Sequence, residues 1–519
     1  MSAVDDPGVV VPKGLKSGAI GLVESTGIGV ASTAPAYSLA VTLGFVVAII
    51  GVQTPLLVVL AFVPMLFLAW ATKLMNRIDP DCGTSFTWAA RALGPRTGWF
   101  AGGFGTIASD FLAMGSYAQI AGQYMFLLVG ADVIGQNPTS PWVLLVGVLW
   151  IVGLTYICYR GIEISARLQM WLVSIEIVIL LVTAAVAVIR LASGSAPAGH
   201  IPLSWSWLNP TKIASFSAFM QGMLLMVFIY WGWDTTTSIN EETEDSSRVP
   251  GLAGVISTFL LLGTYFFVIV AMQAYVGVGT SGYGLGNAAH AGDVLSILGA
   301  EIYGNSVIGT IMSHLLIFMV LTSAAATTQT TILPNARTML SMSFHKALDG
   351  RFGRTHPVYM TPTVATVSFG VASVVYYVAL NFLAHGNVIA DSVTGTTFFA
   401  ALYLGITALA CAWHYRGAIH RGVRAAVSEL IVPALGFLMI YAILAWSFKI
   451  YADPSQSYFE LNLPVFGEVG GVMLTVVVST LVGLAWMLFS QRQFPAFFRG
   501  EMHAHSLTDD DEVVAVRFE

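Results

Sequence analysis

The chain has 519 residues, of which 56% are apolar and only 10% charged, and its mean hydropathy is +0.77. That balance excludes a water-soluble enzyme, whose surface needs far more charge. The formal charge of -6 owes much to Asp509, Asp510, Asp511 and Glu512 near the C-terminus, and no basic patch offers a surface to nucleic acid.

In chain order, apolar blocks of about 20 residues, each long enough as a helix to cross a hydrocarbon core of roughly 30 Å, fall near 20–50, 53–75, 99–129, 141–159, 167–190, 214–240, 252–278, 306–333, 362–383, 396–415, 426–448 and 470–491. They predict an all-α integral membrane protein with twelve transmembrane helices. The expected organisation is a cytoplasmic tail over 1–16, a core of ten helices over 17–416, two more helices within 417–491, and a disordered acidic cytoplasmic tail over 492–519.

Basic residues set the orientation, because Lys and Arg gather in cytoplasmic loops. With both termini inside, all 22 basic residues except Arg190, Lys212 and Lys449 fall on cytoplasmic loops or tails, and one missed helix would invert every loop after it. The expected location is therefore the inner (cytoplasmic) membrane, crossed many times. The N-terminal segment lacks the basic-plus-apolar pattern and cleavage site of a secretory signal, so the first span is expected to act as an uncleaved anchor. Cys82, Cys158 and Cys411 map to the cytoplasmic side, where no disulfide is expected. No C-x-x-C, H-E-x-x-H or P-loop pattern occurs, so the sequence asks for no metal or cofactor.

Two spans carry residues that a continuous helix does not want. Span 1 holds Gly27, Gly29, Ser32, Thr33 and Pro35 in its middle, and span 6 holds Trp231, Gly232, Trp233, Asp234, Thr235, Thr236 and Thr237. Such breakers free backbone N–H and C=O groups at mid-bilayer. Broken helices at corresponding places in two halves of a chain, here roughly 17–190 and 214–416, point to a transporter's binding site. A half-helix N-terminus can receive a carboxylate, and unwound carbonyls can receive an ammonium or another cation. Gly and Pro also serve plain packing in membrane helices, as Gly98, Gly102 and Gly105 on span 3 are expected to do.

The residues around the second break carry a resemblance. Gly232-Trp233-Asp234, followed by Glu241-Glu242-Thr243 and then Arg248-Val249-Pro250, resembles the sixth-helix signature of the amino acid-polyamine-organocation (APC) superfamily of permeases. Pro80-Asp81-Cys82-Gly83-Thr84-Ser85-Phe86 through Gly94 and Gly98-Trp99 resembles its link before span 3. Arg160-Gly161 with Ser165-Ala166-Arg167-Leu168-Gln169 resembles its link between spans 4 and 5. Arg337 with Gly353-Arg354-Thr355-His356-Pro357 and Thr361-Pro362 resembles its link between spans 8 and 9.

The resemblance implies a fold of five plus five inverted helices (LeuT-like) with two appended, and alternating access around a small-molecule substrate, an amino acid or amine. It puts substrate-amine contacts in helix 6 on Phe228, Ile229, Tyr230 and Trp231, and a carboxylate site in helix 1 on Ser32, Thr33, Ala34 and Pro35, where relatives carry Gly-Ser-Gly. Glu176 in span 5 falls where proton-dependent relatives often carry a lysine that stands in for sodium; a buried carboxyl there either takes up and releases the co-transported proton or is structural, hydrogen-bonded to helix 1 or helix 8. Asp234 is the second proton-coupling candidate, with capping of the second half of helix 6 as its structural alternative. Asp110 and Glu24 are expected either to line the cytoplasmic pathway or merely to meet water near a span end. Ser323, Thr327 and Thr328 on span 8 are expected to face helix 1, either completing a sodium site, as in sodium-coupled members, or bridging the helices.

The substrate reading divides between amino acids, which need both a carboxylate and an ammonium site, and amines, which need only cation sites and would use the aromatics Tyr230, Trp231 and Trp233. Uptake by symport and amino acid exchange both fit. A channel or a sensor without turnover is the reading from another class, but no filter sequence or charged ring supports a channel. No nucleophile, base and orienter can be assembled, so the chain is not expected to be an enzyme.

Overall fold

The computed structural model describes residues 13–288, 294–304, 306–383, 387–464, 467–502, 506–507 and 514–515. The expected acidic tail at 509–512 and most of the expected N-terminal tail lie outside the described residues. The helices are α1 (Leu22–Ser32), α2 (Pro35–Ile50), α3 (Thr54–Ile78), α4 (Ser85–Leu93), α5 (Gly105–Leu128), α6 (Pro141–Tyr159), α7 (Ile162–Ala192), α8 (Phe216–Tyr230), α9 (Thr235–Ser238), α10 (Val249–Val276), α11 (Val294–Tyr303), α12 (Val307–Phe344), α13 (Thr363–Phe382), α14 (Asn387–His414), α15 (Val432–Tyr451) and α16 (Gly471–Gln493).

Ten segments among the described residues are helical, long and apolar enough to cross a membrane, which makes this a multi-pass membrane protein. One of the ten, Leu22–Ile78, runs through α1, α2 and α3, and α5 is not among them. Their sequences are apolar around the whole circumference, as helices facing both lipid and protein require. Many outward positions accordingly stay apolar and uncovered, such as Trp171, Val178 and Val182 on α7 and Leu481, Val482 and Phe489 on α16.

Two departures from the expected elements have physical causes. The eighth span does not stop at 333 but continues as one helix to Phe344 through Pro334, since membrane helices tolerate proline where neighbouring groups satisfy the freed backbone. The loop before the last helix contains a small antiparallel hairpin, β1 (Glu460–Leu463) with β2 (Gly467–Gly470), within an otherwise all-helical membrane fold. Asp391 on α14 ties down the chain just before β1, accepting from the N–H groups of Tyr458 and Phe459 at 2.9 Å each.

The core sits around α5, which packs on both α12 and α14. The short pieces α1 and α9 pack against α10 and α12, and α1 also lies on α7. A dense polar cluster ties together the Asp81 loop, the chain after α9 and the C-terminal part of α12. There Lys13 donates to Asp81 at 2.7 Å and to Glu241 at 2.5 Å. Arg337 on α12 makes a bidentate pair with Glu242, at 2.5 and 2.9 Å. Asp81 also accepts from the Gly83 N–H, Thr87 and Ser341. The segment before α1 is stitched to the same loop, with the Ala19 N–H on the Glu242 carbonyl at 2.8 Å and the Glu244 N–H on the Ile20 carbonyl at 2.9 Å. Burial opposes the Lys13 charge, but Asp81, Cys82 and Glu241 around it outweigh burial and hold the ammonium well above lysine's usual range.

Candidate functional site

The two sequence-predicted breaks are present and touch each other. Helix 1 stops at Ser32 and restarts at Pro35, because proline has no N–H to continue the ladder. Ala34 takes a left-handed conformation between the halves (φ 46°), a strained setting for a residue with a Cβ. The second break runs from Trp231 to Asp234, between α8 and α9. Gly232 lies at φ 122°, and a Cβ there would stand 2.6 Å from the Ser32 carbonyl oxygen. Only glycine lets the two breaks come this close. Ser32 Oγ and Thr235 Oγ1 are hydrogen-bonded at 2.8 Å across the junction, and Thr327 on α12 donates to the Ser32 carbonyl at 3.0 Å.

A buried polar cavity opens beside the junction, lined by Ser32, Asp110, Trp231, Asp234, Thr331 and Tyr403 among others. A hydrogen-bonded chain runs along its wall: Trp231 Nε1–H donates to Tyr403 Oη at 2.7 Å, and Tyr403 O–H donates to Asp234 Oδ2 at 2.8 Å. On the other wall Asn335 Nδ2 donates to Asp110 Oδ2 at 2.6 Å. Asp234 therefore does not cap α9 with its side chain, because Tyr403 holds it toward the cavity instead. Asp110 lies in this cavity, whereas Glu24 is exposed on α1.

The residues expected to contact substrate separate into two groups. Ser32 and Trp231 line the cavity. Thr33 and Ala34 lie in the break beside it, fully buried, with Thr33 Oγ1 turned back to the Val30 carbonyl. Phe228, Ile229 and Tyr230 are buried in α8 away from the lining. The Ile229 carbonyl accepts from Tyr265 Oη at 2.6 Å, and Tyr230 Oη donates to the Val58 carbonyl at 3.1 Å. Tyr230 packs edge-on to Tyr265, and Trp233 is fully buried.

Glu176 sits behind the first break. Its Oε1 accepts from the Ala36 N–H at 2.6 Å and from Ser323 Oγ at 2.8 Å, while Ser323 also accepts from the Tyr37 N–H at 3.2 Å. It is completely buried, and its Oε2 has no hydrogen-bond partner among the described residues. Two of the three expected α12 hydroxyls thus face helix 1, whereas Thr328 bonds back to the Ala324 carbonyl of its own helix. Sequence reasoning passed over Tyr403 and Asn335, which hold the two cavity carboxylates. Neither belongs to a motif, and only the packing of α14 and α12 on α5 brings them there.

Residues 19–478 match the family model described as amino acid permease. The chain is also similar to the branched-chain amino acid permease BcaP of Bacillus subtilis (strain 168), at 24% identity over 225 residues. That match covers 43% of this chain and 43% of the relative, so the chain spans less than half the length of the curated protein it matches. With a family match running from before the first break to within the last helix, the chain belongs to the amino acid permease family.

Proposed function

We propose that this protein is a secondary active transporter that moves amino acids across the cytoplasmic membrane by alternating access, with a proton as the coupling ion. The observation that carries the reading is the meeting of two broken helices at a buried polar cavity, and we read the Lys13 and Arg337 ion pairs as closing it from one end. A site sealed in this way must open to release its cargo. Counting two crossings in Leu22–Ile78 and adding α5 gives twelve transmembrane helices. The first ten are read as a five-plus-five inverted repeat and the last two as additions, with both termini in the cytoplasm. Ser32 and Trp231 are read as touching the substrate, with Thr33 and Ala34 in the break behind them, whereas Phe228, Ile229 and Tyr230 support the site from within α8. The named relative makes branched-chain amino acids the first compounds to test.

Glu176 is the proposed proton carrier. It holds the N-terminus of α2 to α12 through Ala36 and Ser323, and its unpartnered Oε2 is an oxygen on which a proton can sit. Protonation would loosen this tie and so couple proton binding to movement of helix 1. The test is uptake of labelled amino acids into proteoliposomes, with and without an inward proton gradient. The reading expects the gradient to stimulate the wild type and Glu176→Gln to retain exchange while losing that stimulation. Equal gradient dependence in Glu176→Gln would remove Glu176 from the coupling.

One observation favours a second reading, an amine transporter: among the described residues, the cavity lining contains two carboxylates and no basic side chain. Accumulation of amines with no accumulation of amino acids in the same assay would decide for it.

A further inference from the structure

Many of the cations in this chain have a carboxylate of their own. Lys13, Lys16, Arg91, Arg337, Arg351 and Arg499 each pair with an Asp or Glu. The match fails where the connection between α14 and α15 meets the end of α3. There Trp70 Nε1–H donates to the Ser428 carbonyl at 2.7 Å, and the Lys73 ammonium lies 4.6 Å from the centre of a Trp70 ring. Arg77, in the last turn of α3, and Arg421 both act electrostatically on Tyr415, whose ring centre is 5.6 Å from the Arg421 guanidinium. Arg424 is exposed, and its carbonyl accepts from Ser428 Oγ at 2.8 Å. Among the described residues, the carboxylate paired with any of Lys73, Arg77, Arg421 and Arg424 is Glu429 alone, 2.5 Å from Arg421.

The surface that leads from these cations into the membrane is apolar. Val423–Tyr451 is one of the membrane-crossing segments. Val423, Val427, Ile431 and Leu435 are spaced four apart on it, so they share a face, and all are exposed. Val423 stands between Arg421 and Arg424 in the sequence and is 82% exposed. A bare valine flanked by arginines suits the boundary between hydrocarbon and headgroups better than open water.

We propose that this surface binds an anionic phospholipid, with its phosphate held by Arg77, Arg421 and Arg424 and an acyl chain laid along Val423, Val427 and Ile431. The planar fork of donors on each guanidinium matches phosphate oxygens. The Tyr415 ring beside Arg421 and the Trp70 ring beside Lys73 hold two of the cations at headgroup depth, where such aromatics settle. A lipid with a zwitterionic headgroup brings its own cation and leaves the surplus charge unanswered. A soluble phosphate ester answers the charge but leaves the apolar row bare.

The experiment uses the purified full-length protein in a neutral detergent and three probes: dioleoyl phosphatidylglycerol, dioleoyl phosphatidylcholine and glycerol 3-phosphate. The readout is the thermal unfolding temperature as each is titrated. Phosphatidylglycerol should raise it at a lower mole fraction than phosphatidylcholine does, and glycerol 3-phosphate should leave it unmoved. The triple variant Arg77→Gln/Arg421→Gln/Arg424→Gln should raise the half-maximal mole fraction of phosphatidylglycerol about tenfold or more and leave the response to phosphatidylcholine as it was. Arg96→Gln/Arg248→Gln/Arg354→Gln removes the same charge from three exposed arginines on other loops and should shift it by less than about twofold. Where the first triple variant fails to fold, Arg424→Gln alone should still raise the half-maximal mole fraction about fivefold. Equal stabilisation by the two lipids overturns the assignment. So does an equal loss in the second triple variant, which would mean that net charge and not this surface attracts the lipid. Stabilisation by glycerol 3-phosphate at the level of phosphatidylglycerol overturns it too, since the ligand would then be a phosphate and not a lipid.

Discussion

Removing the Lys13 ammonium should open the closed end of the bundle. Lys13 is buried between Asp81 and Glu241, 3.7 Å from the Cys82 thiol, and its ammonium lies 5.1 Å from the centre of the Phe344 ring. Lys13→Met removes the ammonium that Asp81 and Glu241 share, and breaking a buried pair from one side costs about 3–5 kcal/mol. If roughly 2 kcal/mol of this is relieved when the end opens, the open fraction rises by about 30-fold. Cys82 reports the change directly. It is fully buried, and burial pushes its thiol well above the usual cysteine range, so it should resist alkylation in the closed form. In a background with Cys158→Ser and Cys411→Ser, maleimide labelling of Cys82 should accelerate by about that factor in Lys13→Met. Adding Asp81→Asn and Glu241→Gln should restore much of the protection, since neutral side chains no longer need the Lys13 ammonium. Unchanged labelling in Lys13→Met, with the unfolding temperature also unchanged, would refute the view that this ion cluster holds the end shut.

Further outcomes follow from other parts of the structure. Gly232→Ala should destabilise the protein by about 2–4 kcal/mol, from the left-handed backbone and the contact with the Ser32 carbonyl. Gly263→Ala on α10, with open space around it, should be neutral, and thermal unfolding of both variants checks the contrast. His345, beside Asp81 at 3.0 Å, is lowered by burial to about 4 from an ordinary 6.5, against the pull of Asp81. A histidine depressed in the folded state adds stability above its unfolded value and loses it as pH falls through the folded one. The purified protein should thus lose up to about 3 kcal/mol between pH 6.5 and 4, and His345→Gln should flatten that part of the pH profile of unfolding.

Much of the helical layout was legible because membrane-crossing segments announce themselves by length and apolarity, and the breaks were legible because Pro35 and Gly232 have few other uses in mid-span. The side chains that make the site were less so. Asp110 and Asp234 are visible as intramembrane acids, but their partners Asn335 and Tyr403 lie more than a hundred residues away with no spacing that links them. Helix periodicity could not separate Trp231, which lines the cavity, from Tyr230, which packs on Tyr265, since adjacent residues at a break no longer follow a helical face. Proline was also a poor stop signal at Pro334, where the helix runs on to Phe344. The hairpin after Phe459 went unseen because strands this short leave almost no pattern.

The central claim is that this chain carries amino acids, and uptake by the purified wild-type protein in proteoliposomes tests it most directly. With labelled leucine, isoleucine and valine outside, sodium absent and an inward proton gradient imposed, accumulation above that of protein-free vesicles is the expected result. No accumulation and no exchange, even with sodium restored and the vesicles preloaded, would contradict the account.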